Sequence, residues 1–329
     1  MARVETVTGP IEAEELGTTL IHEHLLFRDE AVLDQWPHAG TVKEAEPPEP
    51  VAPGDELGVA IECARSVVES GVKTIAEPTA MFGGRDVEFS RRVAEETGLQ
   101  VIPCTGIYTY DHLPHYFQFR DEDAMADLFV HDIEEGIQGT QVKAAFLKCA
   151  ADEPGITPNI EKVHRAIARA SVRTGTPIMA HSRPASQTGP QQVEIFEDEG
   201  VDLSRVQIAH TGDTDDLDYI ERLLDKGVYI GMDRYGLEIF LPIDRRNATV
   251  TALLERGYAE RMFLSQDFCA TLDWYPPEVG RQLLESGAAK EWSMTLVVDQ
   301  VIPTLRQAGM TDEQVQTMMV ENPKRWLAG

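Results

Sequence analysis

From residue 57 onward, short apolar runs alternate with longer amphipathic stretches, the pattern of repeated β-α units around a parallel sheet. Counting the run ahead of that point, eight segments read as strands, over 18–22, 72–77, 100–105, 144–149, 177–181, 206–210, 228–232 and 261–265. Helical stretches over 57–69, 86–97, 124–135, 159–174, 191–198, 216–226 and 248–256 lie between them. Glycine follows several of these helices, as at Gly98 and Gly175, where a residue tolerant of positive φ ends the helix before the next strand. Eight alternating units predict an α/β chain folded as a TIM (β/α)8 barrel.

A barrel of this kind takes about 250 residues and accepts insertions, so the 329 residues here are expected to form a single domain, 1–329. Residues 4–17 read as a short N-terminal β ribbon turned at Gly9-Pro10, and 293–326 as C-terminal helices containing Pro303 and Pro323. Both are caps on the barrel. Two loops interrupt the rhythm. The Pro- and Glu-rich stretch 39–56 is expected to be a solvent-facing spacer, and 270–290, with Trp274 and Pro276-Pro277, a pocket wall.

Composition excludes several classes. With 56 acidic against 29 basic residues, the formal charge is −27, a field that repels nucleic acid and anionic membranes. The start lacks the apolar core of a secretory signal and no run reaches the roughly 18 apolar residues that span a bilayer, so a cytoplasmic location is expected. Cys63, Cys104, Cys149 and Cys269 lie far apart, arguing against a disulfide framework or a thiolate zinc site.

The chemistry-bearing residues gather at strand ends. In His22-Glu23-His24, period-2 geometry sends both imidazoles to one side and Glu23 to the other. Alone, such a pair is more often core or surface histidine than a metal site. His181 and His210, however, each end a predicted strand, and Asp267 follows another. Active sites of these barrels sit at the C-terminal face of the strands, so four histidines and one aspartate there point to a metal site. By contrast, His131 and His164 fall in helical stretches and His38, His112 and His115 in loops, where structural or solvent-facing roles are expected.

Lys148 is the least ordinary member, since an ammonium in the run 144–149 faces a large desolvation penalty that favours a neutral amine. A lysine reaching from the strand end to a carboxylate is the alternative. A neutral amine can add carbon dioxide to give a carbamate whose two oxygens bridge two cations. Cys149 should face the opposite side of the strand from Lys148 and pack.

His22-Glu23-His24, Phe146-Leu147-Lys148, His181, His210 and Asp267 resemble the metal-binding set of the phosphotriesterase family within the amidohydrolase superfamily. The likeness runs along nearly the whole chain. Segments 105–110, 151–155, 210–214 and 232–236 are similar to the phosphotriesterase-like lactonase branch in particular.

The resemblance implies two divalent cations, one held by His22, His24 and Asp267 and the other by His181 and His210. A carboxylated Lys148 and a hydroxide bridge them. Zinc is the expected metal, with cobalt, iron or manganese admissible. It implies that one cation polarises a lactone carbonyl, hydroxide attacks, and Asp267 takes the proton for the leaving alkoxide. Tyr108 and Arg234 resemble pocket residues of the lactonase branch, although a core tyrosine and an ion-paired arginine are the bland alternative. Related deaminases use one metal and lack the lysine.

The implied activity is hydrolysis of lactones, N-acyl homoserine lactones of quorum sensing included, with slower turnover of organophosphate triesters such as paraoxon, by a homodimer. A phosphotriesterase proper and a barrel that binds without turnover are the alternatives. One departure stands out: Gln266 occupies a position where lactonases often carry His, which puts an outer contact or proton relay there in question.

Overall fold

The computed structural model describes residues 2–29, 55–275 and 277–329. The 39–56 segment, apart from Asp55 and Glu56, lies outside these residues, as do His38 and Pro276. Eight parallel strands form one sheet in sequential order: β1 (Thr19–Leu20), β2 (Thr74–Glu77), β3 (Gln100–Gly106), β4 (Phe146–Ala150), β5 (Ile178–His181), β6 (Val206–Ala209), β7 (Tyr229–Met232) and β8 (Met262–Leu264). The expected (β/α)8 barrel is the observed one. Its connecting helices are α1 (Glu56–Glu69), α2 (Val87–Thr97), α3 (Glu122–Glu134), α4 (Pro158–Thr174), α5 (Thr188–Asp198), α6 (Leu217–Leu224) and α7 (Ile243–Glu255).

Strands buried on both faces read as continuous apolar runs, and the period of two sorts their side chains. Leu147 and Cys149 of β4, Ile178 and Ala180 of β5, and Val206 and Ile208 of β6 pack outward with the helices. Phe146, Met179, Ala209, Tyr229 and Phe263 point into the barrel and form its inner core with Trp326 from the last helix. The indole of Trp326 donates to the Arg205 carbonyl (3.0 Å). The barrel floor is therefore apolar and plugged. Polar groups collect at the opposite, C-terminal end.

Helix boundaries follow local chemistry. Asp86, Thr157 and Asp216 accept the third amide of α2, α4 and α6 through their side chains, satisfying donors that helix geometry leaves open. Helices α5 and α7 begin earlier than sequence periodicity places them, at Thr188 and Ile243.

The seam between the first and last strands closes beyond the strands themselves. Glu23–His24 pairs in parallel with Phe268–Cys269, and Phe27–Arg28 with Leu272–Asp273. Closure thus falls among the candidate site residues. At the N-terminus, Arg3–Val4 pairs antiparallel with Ile11–Glu12, as a short ribbon should, but the chain reverses between Thr6 and Gly9, slightly ahead of Gly9-Pro10. The C-terminal helices include π-type turns over Val297–Val301 and Thr317–Glu321, each shortly before a proline, where a missing amide breaks the regular ladder. Among the described residues no helix is long and apolar enough to cross a membrane.

Candidate active site

Each strand delivers its side chain to the same mouth. His181 is the last residue of β5, while His210, Asp233 and Asp267 follow β6, β7 and β8. The Nε2 atoms of His22 and His24 each lie 3.2 Å from Asp267 Oδ1. His210 Nε2 stands 3.0 Å from His181 Nδ1 and 3.8 Å from Asp267 Oδ2. Lys148 Nζ reaches 3.2 Å from His22 Nε2 and 3.4 Å from Met179 Sδ. All six residues named from the sequence converge. His22, His24, Lys148, His181 and His210 are buried, and Asp267 is nearly so.

Two of them sit in strained backbone. His210 has φ 63° and Asp267 φ 54°, in the left-handed region that costs most residues of order 1–3 kcal/mol and that His and Asp tolerate better than most. The turns are held by hydrogen bonds: the His210 amide donates to Asp233 Oδ1 (2.8 Å) and the Asp267 amide to the His22 carbonyl (3.0 Å).

Behind the cluster, acceptors fix the rings. Asp233 lies 3.1 Å from His22 Nδ1 and 3.0 Å from His210 Nδ1, Thr79 Oγ1 lies 2.6 Å from His24 Nδ1, and Asp152 Oδ2 lies 2.6 Å from His181 Nε2. A ring nitrogen that donates outward leaves its partner's lone pair facing in, which assigns Nε2 of His22, His24 and His210 and Nδ1 of His181 to the interior. His22, His24 and Asp267 offer donor atoms within 4.8 Å of one another, as do His22, His210 and Asp233. The second grouping engages the rear nitrogens, so Asp233 is a hydrogen-bonded backing. Imidazole nitrogens and a carboxylate oxygen in this arrangement fit a divalent transition metal.

Electrostatics support this for three of the four imidazoles; at His24 burial is outweighed by hydrogen bonds to Asp267 and Glu77, which raise it. Burial lowers His22 to about 4, aided by Lys148, and depresses His181 and His210, so these rings are neutral and able to ligate. Burial likewise lowers the Lys148 amine. Burial alone would raise Asp267, but with His22 and His210 neutral it is a hydrogen bond to His24 and the Arg234 guanidinium that hold its carboxyl well below the usual range. Arg234 Nε donates to Asp267 Oδ2 (2.9 Å), and its Nη1 bonds Asp213 Oδ2 (3.0 Å).

The mouth has aromatic walls. The Tyr108 ring lies 5.3 Å from that of His181 and 5.9 Å from Trp274, while Trp274 packs 5.0 Å from Phe27. The Arg234 guanidinium lies over Phe240 (4.5 Å). Tyr108 and Arg234 thus border the cluster, and Trp274 places the start of the 270–290 segment where a pocket wall is expected, although the segment is not a plain loop but carries a helix over Pro277–Glu285. Burial pushes the Tyr108 phenol well above its ordinary value, keeping it a donor.

The model of the phosphotriesterase family matches residues 2–327. The chain belongs to the phosphotriesterase family. A relative from Saccharolobus solfataricus described as an aryldialkylphosphatase is 45% identical over 97% of this chain and 97% of its own length. The solved structure of the phosphotriesterase from Mycobacterium tuberculosis superposes with a TM-score of 0.90 at 38% identity, covering 99% of this chain and 98% of that one. A second structure, described as molecular engineering of organophosphate hydrolysis activity from a weak promiscuous lactonase template, gives 0.88 at 34% identity over 100% of both chains. This phosphotriesterase-family chain is accordingly a hydrolase acting on ester bonds.

Several residues of this family member escape sequence reasoning. Asp233, Asp152 and the Thr79–Glu77 pair support the histidines from behind, and all four lie at or just past strand ends, the same positional signal that singled out the histidines. Gln266 does not approach the histidine cluster: its side chain contacts Glu23, Met294 and Val297. Of the histidines set aside, His164 lies buried in α4, whereas His115 opens a four-residue helix, His115–Gln118, instead of lying in a loop. Cys149 faces the outer core, as its strand position requires.

Proposed function

We propose that the protein is a binuclear metal-dependent lactonase that opens N-acyl homoserine lactones, a quorum-quenching activity, with weaker action on organophosphate triesters. The observation that carries this reading is the convergence of His22, His24 and Asp267 on one point, with His181, His210 and Lys148 alongside, beneath Tyr108 and Arg234. The similarity to a promiscuous lactonase template supports the substrate.

In this reading His22, His24 and Asp267 hold one divalent cation and His181 and His210 a second, zinc first, with cobalt, iron or manganese admissible. Lys148, once its neutral amine had added carbon dioxide and released a proton, would offer a carboxylate to help hold them. The bound cations supply Lewis acidity and water activated near neutral pH. Arg234 keeps Asp267 anionic, so its carboxylate is ready to take the proton of the attacking water and return it to the leaving alkoxide. Tyr108, held protonated, donates to the substrate carbonyl oxygen. Trp274 and Phe27 shield that face from water. The product is a hydroxy acid. The working form is a cytoplasmic homodimer.

One finding favours a second reading, the name of the S. solfataricus relative, which places organophosphate triesters first. Catalytic efficiencies on a panel of acyl homoserine lactones and on paraoxon, measured with the metal content of the same preparation, decide between them. A preference for lactones supports the proposal. A preference for paraoxon reverses the order, and metal-loaded protein inert on every lactone overturns it.

A further inference from the structure

Glu23 stands between two of the proposed ligands and faces away from the cations, yet its carboxylate is fully buried. It answers four donors, all from the other side of the barrel seam. Oε1 accepts from Ser265 Oγ (2.7 Å), the Gln266 amide (2.9 Å) and Gln266 Nε2 (2.9 Å), and Oε2 accepts from the Phe268 amide (3.1 Å). The amide between them, that of Asp267, donates to the His22 carbonyl (3.0 Å). Three consecutive amides around the left-handed Asp267 are thus all satisfied by residues 22 and 23. Ser265 Oγ in turn accepts from the His22 amide (3.0 Å). Gln266 extends the array outward, donating to the Met294 carbonyl and accepting from the Val297 amide, both at 2.9 Å.

We infer that Glu23 is a positioning residue: one carboxylate clamps the segment bearing His22 and His24 to the segment bearing Asp267 and holds Asp267 in its left-handed turn, with Gln266 tying the clamp to residues 294–297. The inference rests on the reading of these three residues as ligands of one cation. A buried donor left without its acceptor costs about 1–3 kcal/mol. An acceptor-free side chain at 23 leaves four such donors and lets Asp267 relax, so the loss falls on one cation site and spares the pair His181 and His210. Sequence periodicity turns Glu23 outward but does not say what it meets.

The test compares the wild type with Glu23→Met, which keeps length but has no oxygen acceptor, and Glu23→Gln, whose amide oxygen still receives the donors on Oε1. Stepwise zinc affinity by chelator competition and the visible absorption of the cobalt-loaded protein are measured, neither of which needs turnover. Glu23→Met is expected to weaken one of two zinc ions on the order of 10- to 100-fold and to alter the cobalt spectrum, with the other ion unchanged and Glu23→Gln recovering most of the loss. Should Glu23→Met not fold, Gln266→Met, which removes one of the four donors, is expected to weaken the same ion by a smaller factor. Two zinc ions at wild-type affinity with a wild-type spectrum in a folded variant overturn the inference alone, as does equal loss at both ions. A wild type that takes up no cation overturns the metal reading and this inference with it.

Discussion

Asp233 grips His210 twice through one oxygen, accepting the backbone amide at 2.8 Å and facing the ring Nδ1 at 3.0 Å. The same carboxylate reaches His22 Nδ1 through its other oxygen at 3.1 Å. One buried group therefore sets the backbone turn at His210 and the ring orientation of two histidines on separate strands. Asp233→Asn replaces one of those oxygens by a donor facing another donor. Metal affinity and kcat/KM are each expected to fall on the order of 10- to 100-fold, read by chelator competition and lactone kinetics. Wild-type affinity in the variant counts against the role of this carboxylate.

Among the described residues Lys148 contacts His22 Nε2 and Met179 Sδ but no carboxylate oxygen within the reach of an ion pair, and burial lowers its amine. A lysine reaching the strand end for a carboxylate partner is thereby disfavoured. Lys148→Ala is expected to lose metal and activity together, and short carboxylic acids, which place a carboxylate in the vacated space, to restore part of both. Metal analysis and rates with and without added acetate or propionate check this. Full activity without the acid removes the bridging role.

The barrel was legible because doubly covered parallel strands are written as apolar runs, and the histidines because they end those runs. The groups behind them were harder to read. Asp233 follows β7 as closely as His210 follows β6, and Asp152 lies just beyond the end of β4, so position alone nominates them, but a carboxylate carries no sign of which ring it will face. The left-handed turns at His210 and Asp267 leave no mark, since neither is glycine and both are fixed by partners distant in sequence. The same holds for Gln266, whose contacts with Glu23, Met294 and Val297 depend on closing the barrel.

His164 makes stability depend on pH outside the catalytic chemistry. Its Nδ1 lies 2.7 Å from the Ile160 carbonyl and its Nε2 2.9 Å from Gln192 Nε2, a pairing that suits the neutral ring. Burial, only partly opposed by the Ile160 hydrogen bond, lowers it from 6.5 to about 4. Between these values the unfolded chain binds a proton that the folded chain does not. Its contribution is present above pH 6.5 and is lost as pH falls towards about 4, on the order of 3 kcal/mol in total. His164→Gln is therefore expected to flatten the dependence of unfolding free energy on pH in that window by about 1.4 kcal/mol per unit. Denaturant titrations of both chains at several pH values measure it, and parallel curves defeat the prediction.

Gly106 and Gly98 separate two meanings of a glycine. Gly98 ends α2 with φ 75° and a Cβ there would meet nothing within 4 Å, so Gly98→Ala is expected to cost only backbone strain, about 1 kcal/mol. Gly106 pairs with Lys148 in the ladder at φ 138°, and a Cβ would lie 1.9 Å from the Lys148 carbonyl oxygen, the acceptor of the Ile107 amide at 3.1 Å. Relief requires moving β3 from β4, which carries Tyr108 away from Lys148. Gly106→Ala is thus expected to lower stability by more than about 3 kcal/mol and to reduce kcat/KM in whatever folds, while Gly98→Ala leaves turnover unchanged. Thermal unfolding and lactone kinetics on the two variants provide the check, and equal stability losses would refute the assignment of Gly106 as the close-contact position.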